Sequence, residues 1–379
     1  MRVLPRVCLA LSLILRTARG DYAFLSVGDW GGAALKEEDA YTAYENVYAV
    51  SSQMASTAAA NSARFIIGTG DNFYWCGVQN SSDYQFSVDF EEPYAAEALQ
   101  VKWYHSLGNH EYGYNVQAQI DYMDINPIWI MPDRYYTQRI EMDTGVYMTL
   151  IVLDTTPCIS DYRNDNPQYW DPCSTEYPTC SIYGGDDDFE GECELHKNVL
   201  TQSCAKQYLW LKLQLELTPK DDWLVVVGHH PIDEVDVEDF TTLIQEHGFS
   251  IYLNGHAHTL TQYTIDGAGA YVTTGAGALV NTADQTHPIT AAKLAGKSVT
   301  PAMRRQHRFN VNASDTATYN DDHTYDTLWQ ETVAGFTLHK FNSDFTSLTT
   351  EYISYTGAVL NTFVVNNAGQ ITSQNDVKE

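Results

Sequence analysis

The chain has 379 residues, 44% of them hydrophobic, so it can bury a sizeable core, and wholesale disorder is excluded. Against 49 acidic side chains it carries only 21 Lys and Arg, for a net charge of -28. That balance excludes general binding to nucleic acid or to anionic membranes, both of which need basic surface. It also means that any phosphate site must bring its own local positive potential.

The N-terminus reads as a signal peptide, residues 1–20. Arg2 and Arg6 precede a short apolar stretch at 7–15, and Ala18-Arg19-Gly20 is a small-x-small cleavage site. The stretch is too short to cross a bilayer, and no later segment is long and apolar enough, so no membrane span is expected. The remainder, 21–379, reads as a single domain and is expected to be a monomer. Loss of Cys8 with the signal leaves Cys76, Cys158, Cys173, Cys180, Cys193 and Cys204. An even set suits disulfides in an oxidising compartment, with the pairing left open. Asn80-Ser81-Ser82 and Asn312-Ala313-Ser314 are glycosylation sequons, making Asn80 and Asn312 candidate acceptors.

The apolar run 23–27 stops at Gly28-Asp29, and a helix is expected over 39–60. Residues 65–67 read as a strand ending at Gly70-Asp71, and 101–107 lead into Gly108-Asn109. The β-branched run 146–153 stops at Asp154. The segment 158–205 is acidic, cysteine-rich and loop-like, an insertion that is a candidate flap over the site. Helical spacing follows at 206–217, with Leu209, Leu213 and Leu217 every fourth residue. A strand at 223–227 runs into Gly228-His229, 238–247 reads as helix, and 250–253 precedes Gly255-His256. The segment 282–325 is a second, polar insertion, with a basic patch at 304–308. The tail runs 336–339 and 348–355 alternate like strands closing a sheet edge. Strands alternating with helices imply a layered α/β domain, in which loops at the carboxyl ends of strands converge on the site.

Five Gly-led segments sit at such ends: Gly28-Asp29-Trp30-Gly31-Gly32, Gly70-Asp71-Asn72-Phe73-Tyr74, Gly108-Asn109-His110-Glu111, Gly228-His229-His230-Pro231 and Gly255-His256-Ala257-His258. Together they contain two aspartates, a tyrosine, two asparagines and five histidines, of which two aspartates, the tyrosine, one asparagine and three histidines would make a complete ligand set. That donor set suits two metal ions about 3.5–4 Å apart, which can clamp the attacking and leaving oxygens of an in-line displacement. Phosphoester hydrolysis is therefore the reaction class. Tyrosine is the telling member, because a phenolate favours a hard, highly charged cation such as Fe(III).

These residues resemble the purple acid phosphatases, specifically the small tartrate-resistant type, within the calcineurin-like metallophosphoesterases. Gly70–Tyr74 carries the most distinctive match; Leu153-Asp154-Thr155 and Gly275-Ala276-Gly277 also agree. The resemblance implies a layered β-sandwich flanked by helices, with a dinuclear metal site at the strand carboxyl ends. It implies that Asp29, Tyr74 and His258 hold Fe(III), that Asn109, His229 and His256 hold a second divalent ion (Fe, Zn or Mn), and that Asp71 bridges them. It further implies direct attack of a metal-bound hydroxide on phosphorus, with His110 as the catalytic group that protonates the leaving alkoxide. Substrates are then phosphorylated small molecules or phosphoproteins, and the protein is secreted or held in a lysosome-like compartment.

The chain departs from the tartrate-resistant pattern in places. Ala257 stands where those relatives usually carry Asp, Glu111 where Asp is usual, and His230 where Tyr is frequent. None of these removes a proposed ligand. His105 and His230 are further candidates for the pocket wall. Two alternatives remain. One is a nucleotidase or phosphodiesterase of the same superfamily, which usually lacks the tyrosine. The other is a non-catalytic scaffold on the same fold, as in parasite gliding-motility anchors.

Overall fold

The computed structural model describes residues 22–34, 43–164, 193–280, 317–318 and 323–374. The signal peptide, Cys173, Cys180, Asn312 and the basic patch at 304–308 lie outside the described residues.

The first apolar run forms β1 (Tyr22–Val27), and the helix Ala43–Asn61 leads to β2 (Phe65–Gly68). β3 (Lys102–His105) and β4 (Trp129–Ile130) follow. The chain then crosses to a second sheet through β5 (Tyr136–Asp143) and β6 (Val146–Val152), an antiparallel pair. Helices Leu195–Leu200 and Cys204–Leu217 precede β7 (Trp223–Val227), and Phe240–His247 precedes β8 (Ile251–Asn254). β9 (Leu260–Ile265), β10 (Ala268–Thr274), β11 (Ala317–Thr318) and β12 (Thr324–Glu331) complete that sheet. The tail returns to the first sheet as β13 (Gly335–Phe341), β14 (Leu348–Ser354), β15 (Val359–Val365) and β16 (Ile371–Gln374).

The strand orders are β16-β15-β14-β13-β1-β2-β3-β4 and β11-β12-β9-β10-β8-β7-β6-β5. β1 to β4 pair in parallel, as do β6, β7, β8 and β10, while the remaining pairs are antiparallel. Continuous apolar runs such as 223–227 suit strands covered on both faces. Alternate side chains part accordingly. Phe24, Ile67, Val225 and Leu253 join Phe341, Leu348 and Tyr352 in a core shared by the two sheets. Leu25, Ile66 and Val226 pack instead with Val50, Met54, Leu211 and Leu215 of the helices. The layered α/β sandwich expected from sequence is the observed architecture.

Two local readings are corrected. The tail strands do not close an edge: β13 lies inside the first sheet between β1 and β14, and the edge strands are β16 and β4. The described ends of the cysteine-rich segment are helical rather than loop, and the Cys158–Cys204 disulfide closes them on each other. Cys76 and Cys193 are also disulfide-bonded. The helix expected over 206–217 is observed as Cys204–Leu217; the Ser203 side chain caps the N–H of Lys206, and the helix buries Cys204, Gln207, Leu211 and Leu215. The evenly spaced Leu209, Leu213 and Leu217 lie on the opposite, exposed face. Among the described residues no helix is long and apolar enough to cross a membrane.

Candidate metal centre

All five Gly-led segments lie at the carboxyl ends of parallel strands: β1, β2 and β3 in the first sheet, β7 and β8 in the second. The two sheets therefore present their donors to one place. Asp29, Asp71, His256 and His258 adopt left-handed backbone, with φ of 56°, 50°, 70° and 52°. Such conformations cost non-glycine residues about 1–3 kcal/mol each, and they persist where surrounding structure enforces them. Close packing explains two of the glycines. A Cβ on Gly108 would overlap the Asp71 carboxylate, and one on Gly255 would overlap that of Asp29.

The side chains fall into two groups that share Asp71. In the first, the Tyr74 hydroxyl lies 3.1 Å from Asp29 Oδ1 and 2.9 Å from His258 Nε2, and His258 Nε2 is 3.3 Å from Asp29 Oδ1. In the second, His229 Nε2 lies 3.1 Å from Asn109 Oδ1, and the His256 ring is 5.1 Å from that of His229. Asp71 Oδ2 meets both, 3.3 Å from the Tyr74 hydroxyl and 3.1 Å from His229 Nε2. His229 is oriented from behind, its Nδ1 donating to the Thr69 carbonyl at 2.9 Å, which leaves Nε2 for the site. Asp29 Oδ2 accepts the His256 backbone N–H at 2.9 Å and so ties the two sheets together.

Exposure shows which side is open. Asp29, Asp71 and His229 are 0%, 1% and 0% exposed, whereas His258 and His110 reach 19% and 14%. His110 Nδ1 donates to the Trp75 carbonyl at 2.5 Å, and Nε2 is 3.9 Å from Asp71 Oδ2. The Asn80 sequon is exposed. His105, by contrast, is buried against Trp129, Trp103, Trp30 and Phe90, away from any pocket wall. His230 is also buried, its Nδ1 2.8 Å from the Thr155 hydroxyl and its Nε2 2.9 Å from that of Tyr162. Its ring packs 4.3 Å from His256, behind the ligand loops rather than in the open wall.

The electrostatics call for cations. Burial works against a charged Asp71, but His229 and His110 outweigh it and hold the carboxyl well below its usual range. Burial likewise opposes charge on His229, yet Asp71 draws it up to about 10. Tyr74 is pushed far above the ordinary tyrosine value, first by burial and then by the charges of Asp29 and Asp71. A phenolate in that position therefore requires a strong cation among the same oxygens. Asp29, Asp71 and His229 each offer a ligand atom, all within 4.8 Å of one another, and His229, His230 and His256 form a second such set. Among the described residues, buried carboxylates, a phenol and imidazoles converge with no Lys or Arg in hydrogen-bond or ion-pair contact, a set that fits a pair of hard or borderline metal ions.

Sequence reasoning missed the roles of two supports. Glu111 is fully buried and accepts the backbone N–H groups of Asp71 (3.1 Å), Asn72 (2.7 Å), Phe73 (3.1 Å) and Gly108 (2.5 Å). Glu234 stands beside His256. The first was visible in sequence only as the acid that ends the Gly108–Glu111 segment, without its role, the second not at all.

Fold and donor set together define a metallophosphoesterase. Residues 22–260 match the calcineurin-like phosphoesterase family. The mouse tartrate-resistant acid phosphatase type 5 is 33% identical over 265 residues, 67% of this chain and 72% of that protein. Among solved structures, GAP50, the anchor in the inner membrane complex of Plasmodium, superposes with a TM-score of 0.58 at 18% identity, over 92% of this chain and 89% of that one. The yellow lupin purple acid phosphatase PPD1 gives a TM-score of 0.53 at 13% identity, over 92% and 54%. These two likenesses speak to the fold. The chain belongs to the calcineurin-like phosphoesterases and, among them, to the purple acid phosphatases.

Proposed function

We propose that this chain is an exported acid phosphatase that hydrolyses phosphate monoesters at a centre of Fe(III) and a second divalent ion. The carrying observation is the tyrosine: the Tyr74 hydroxyl lies between Asp29 and Asp71, at 3.1 and 3.3 Å. Nucleotidases and diesterases of the superfamily usually lack such a residue. Asp29, Tyr74 and His258 would hold Fe(III), Asn109, His229 and His256 the second ion (Fe, Zn or Mn), with Asp71 shared. The bound pair supplies water activation and neutralises phosphate charge.

The protein's own groups do the rest. Glu111 fixes the loop of Asp71 and Tyr74 against that of Asn109 through its N–H acceptors. His110 is anchored through Nδ1 to the Trp75 carbonyl, is 14% exposed and has its Nε2 3.9 Å from Asp71 Oδ2, so that nitrogen would hold the proton that a leaving alkoxide needs. Buried aromatic side chains under the ligand loops, including Trp30 and Phe73, keep water out from below. Export is supported by the Cys158–Cys204 disulfide, which suits an oxidising compartment. The reading takes residues 21–379 as one domain, with the cysteine-rich and polar segments inserted in it and Asn80 and Asn312 as acceptors of glycan.

The test is hydrolysis of aryl phosphate monoesters against diesters by the metal-loaded protein at acidic pH. Monoester turnover, abolished by stripping the metal and by Asp71→Asn, is expected. Preferential turnover of diesters, or turnover that survives metal removal, would overturn the proposal.

A further inference from the structure

Resting on that reading, we infer that Glu234 is a positioning residue for the second ion: its carboxylate fixes the ring of His256 and thereby sets the affinity of that half of the centre. Position 257, where the resemblance leads one to expect a carboxylate between the two histidines, holds Ala257. The lost carboxylate is replaced from another loop. Glu234 ends the short turn Ile232–Glu234 that follows His229-His230-Pro231, and its Oε2 lies 3.8 Å from His256 Nε2. Both groups are sheltered, Glu234 at 3% and His256 at 9% exposure, so the pairing is little screened by water.

The local architecture gives the contact its meaning. The His229 and His256 loops are tied together, the Gly255 N–H donating to the His229 carbonyl at 2.9 Å and the Tyr252 hydroxyl to the His230 carbonyl at 2.8 Å. His230, clamped by Thr155 and Tyr162, packs on another side of the His256 ring. With Nε2 facing Glu234, Nδ1 is the nitrogen left for a metal. A carboxylate facing the far nitrogen of a ligating imidazole favours the N–H there, fixes the tautomer and makes the ligating nitrogen more basic. His229 receives the same service from the Thr69 carbonyl. Each histidine of the second group thus has an oxygen behind it, the Thr69 carbonyl at hydrogen-bond distance from His229 and the Glu234 carboxylate 3.8 Å from His256.

The test uses the full secreted chain, loaded with Fe(III) and titrated with Zn(II), as wild type, Glu234→Gln and Glu234→Ala. Glu234→Gln keeps the shape and removes the charge. Its Zn(II) Kd is expected to rise about 10-fold or more, with unchanged melting temperature and unchanged iron absorption. Equal Kd values for wild type and Glu234→Gln would overturn the inference, as would a defect confined to Glu234→Ala, which would mark Glu234 as packing only. The iron reading fails separately. A wild type that binds two Zn(II) but no iron refutes Fe(III) and still measures Glu234, whereas a wild type that binds no metal refutes both.

Discussion

Glu111 Oε2 accepts the backbone N–H of Asp71 at 3.1 Å, from directly behind the residue shared by both halves of the candidate centre. The same carboxylate takes N–H groups from Asn72, Phe73 and Gly108, so one buried acid latches the loop after β2 to the loop after β3. Glu111→Gln would turn an NH2 toward N–H donors and strand at least one of them. The expected loss is about 1–3 kcal/mol of stability, together with weaker metal retention. Thermal unfolding and metal analysis of the purified variant check this; a variant as stable and as fully loaded as wild type would contradict it.

His110 is assigned to the leaving group, and its removal should therefore depend on what leaves. His110→Asn is expected to lower kcat about 100- to 10,000-fold for alkyl phosphates. For aryl phosphates with acidic phenols, which depart without a proton, the loss should be far smaller. Equal losses across a leaving-group series would remove His110 from that role.

His339 gives a pH dependence of stability. It is buried against Phe24, with Ser26, Thr337 and Thr350 hydroxyls 3.0 Å from its ring nitrogens, and burial pushes its pKa down to about 3. The unfolded chain binds this proton near pH 6.5, so the folded state loses stability as pH falls from about 6.5 toward 3, by about 2 kcal/mol at pH 5. Replacing His339 with Gln should flatten that acid limb in urea unfolding at pH 7 and pH 5. An unchanged slope would show that the group is not neutral in the folded protein.

The helix Cys204–Leu217 tests the packing register. Leu211→Ala removes a fully buried side chain and should cost about 2–5 kcal/mol. Leu213→Ala, on the exposed face, should change stability by less than about 0.5 kcal/mol. Comparable costs for both would contradict the placement of this helix.

The same helix marks where sequence reading runs out. A leucine at every fourth position has the spacing of a core stripe, yet the buried stripe is Cys204, Gln207, Leu211 and Leu215, and Gln207 is held there by hydrogen bonds to Asp154. Nothing in the local pattern ranks a glutamine above three leucines. The parallel strands were readable because 65–67 and 223–227 are continuous apolar runs, and 23–27 is one broken only by Ser26, each followed by glycine. β9 and β10 were not, since Thr261, Gln262, Thr264 and Thr273 break the apolar signal while being buried in the sheet. The donor residues were legible because each follows a strand-ending glycine. Glu111 and Glu234 act through backbone groups and through space, which no spacing records.

The most direct measurement is the visible absorption spectrum of the full chain, purified without chelator and oxidised with peroxide, beside Tyr74→Phe. A tyrosinate bound to Fe(III) gives a charge-transfer band. The account predicts a purple or pink protein, and a Tyr74→Phe variant that keeps its iron but loses the band. A colourless wild type that nonetheless holds two metal ions would contradict it and move the chain to the nucleotidase or diesterase side of the family.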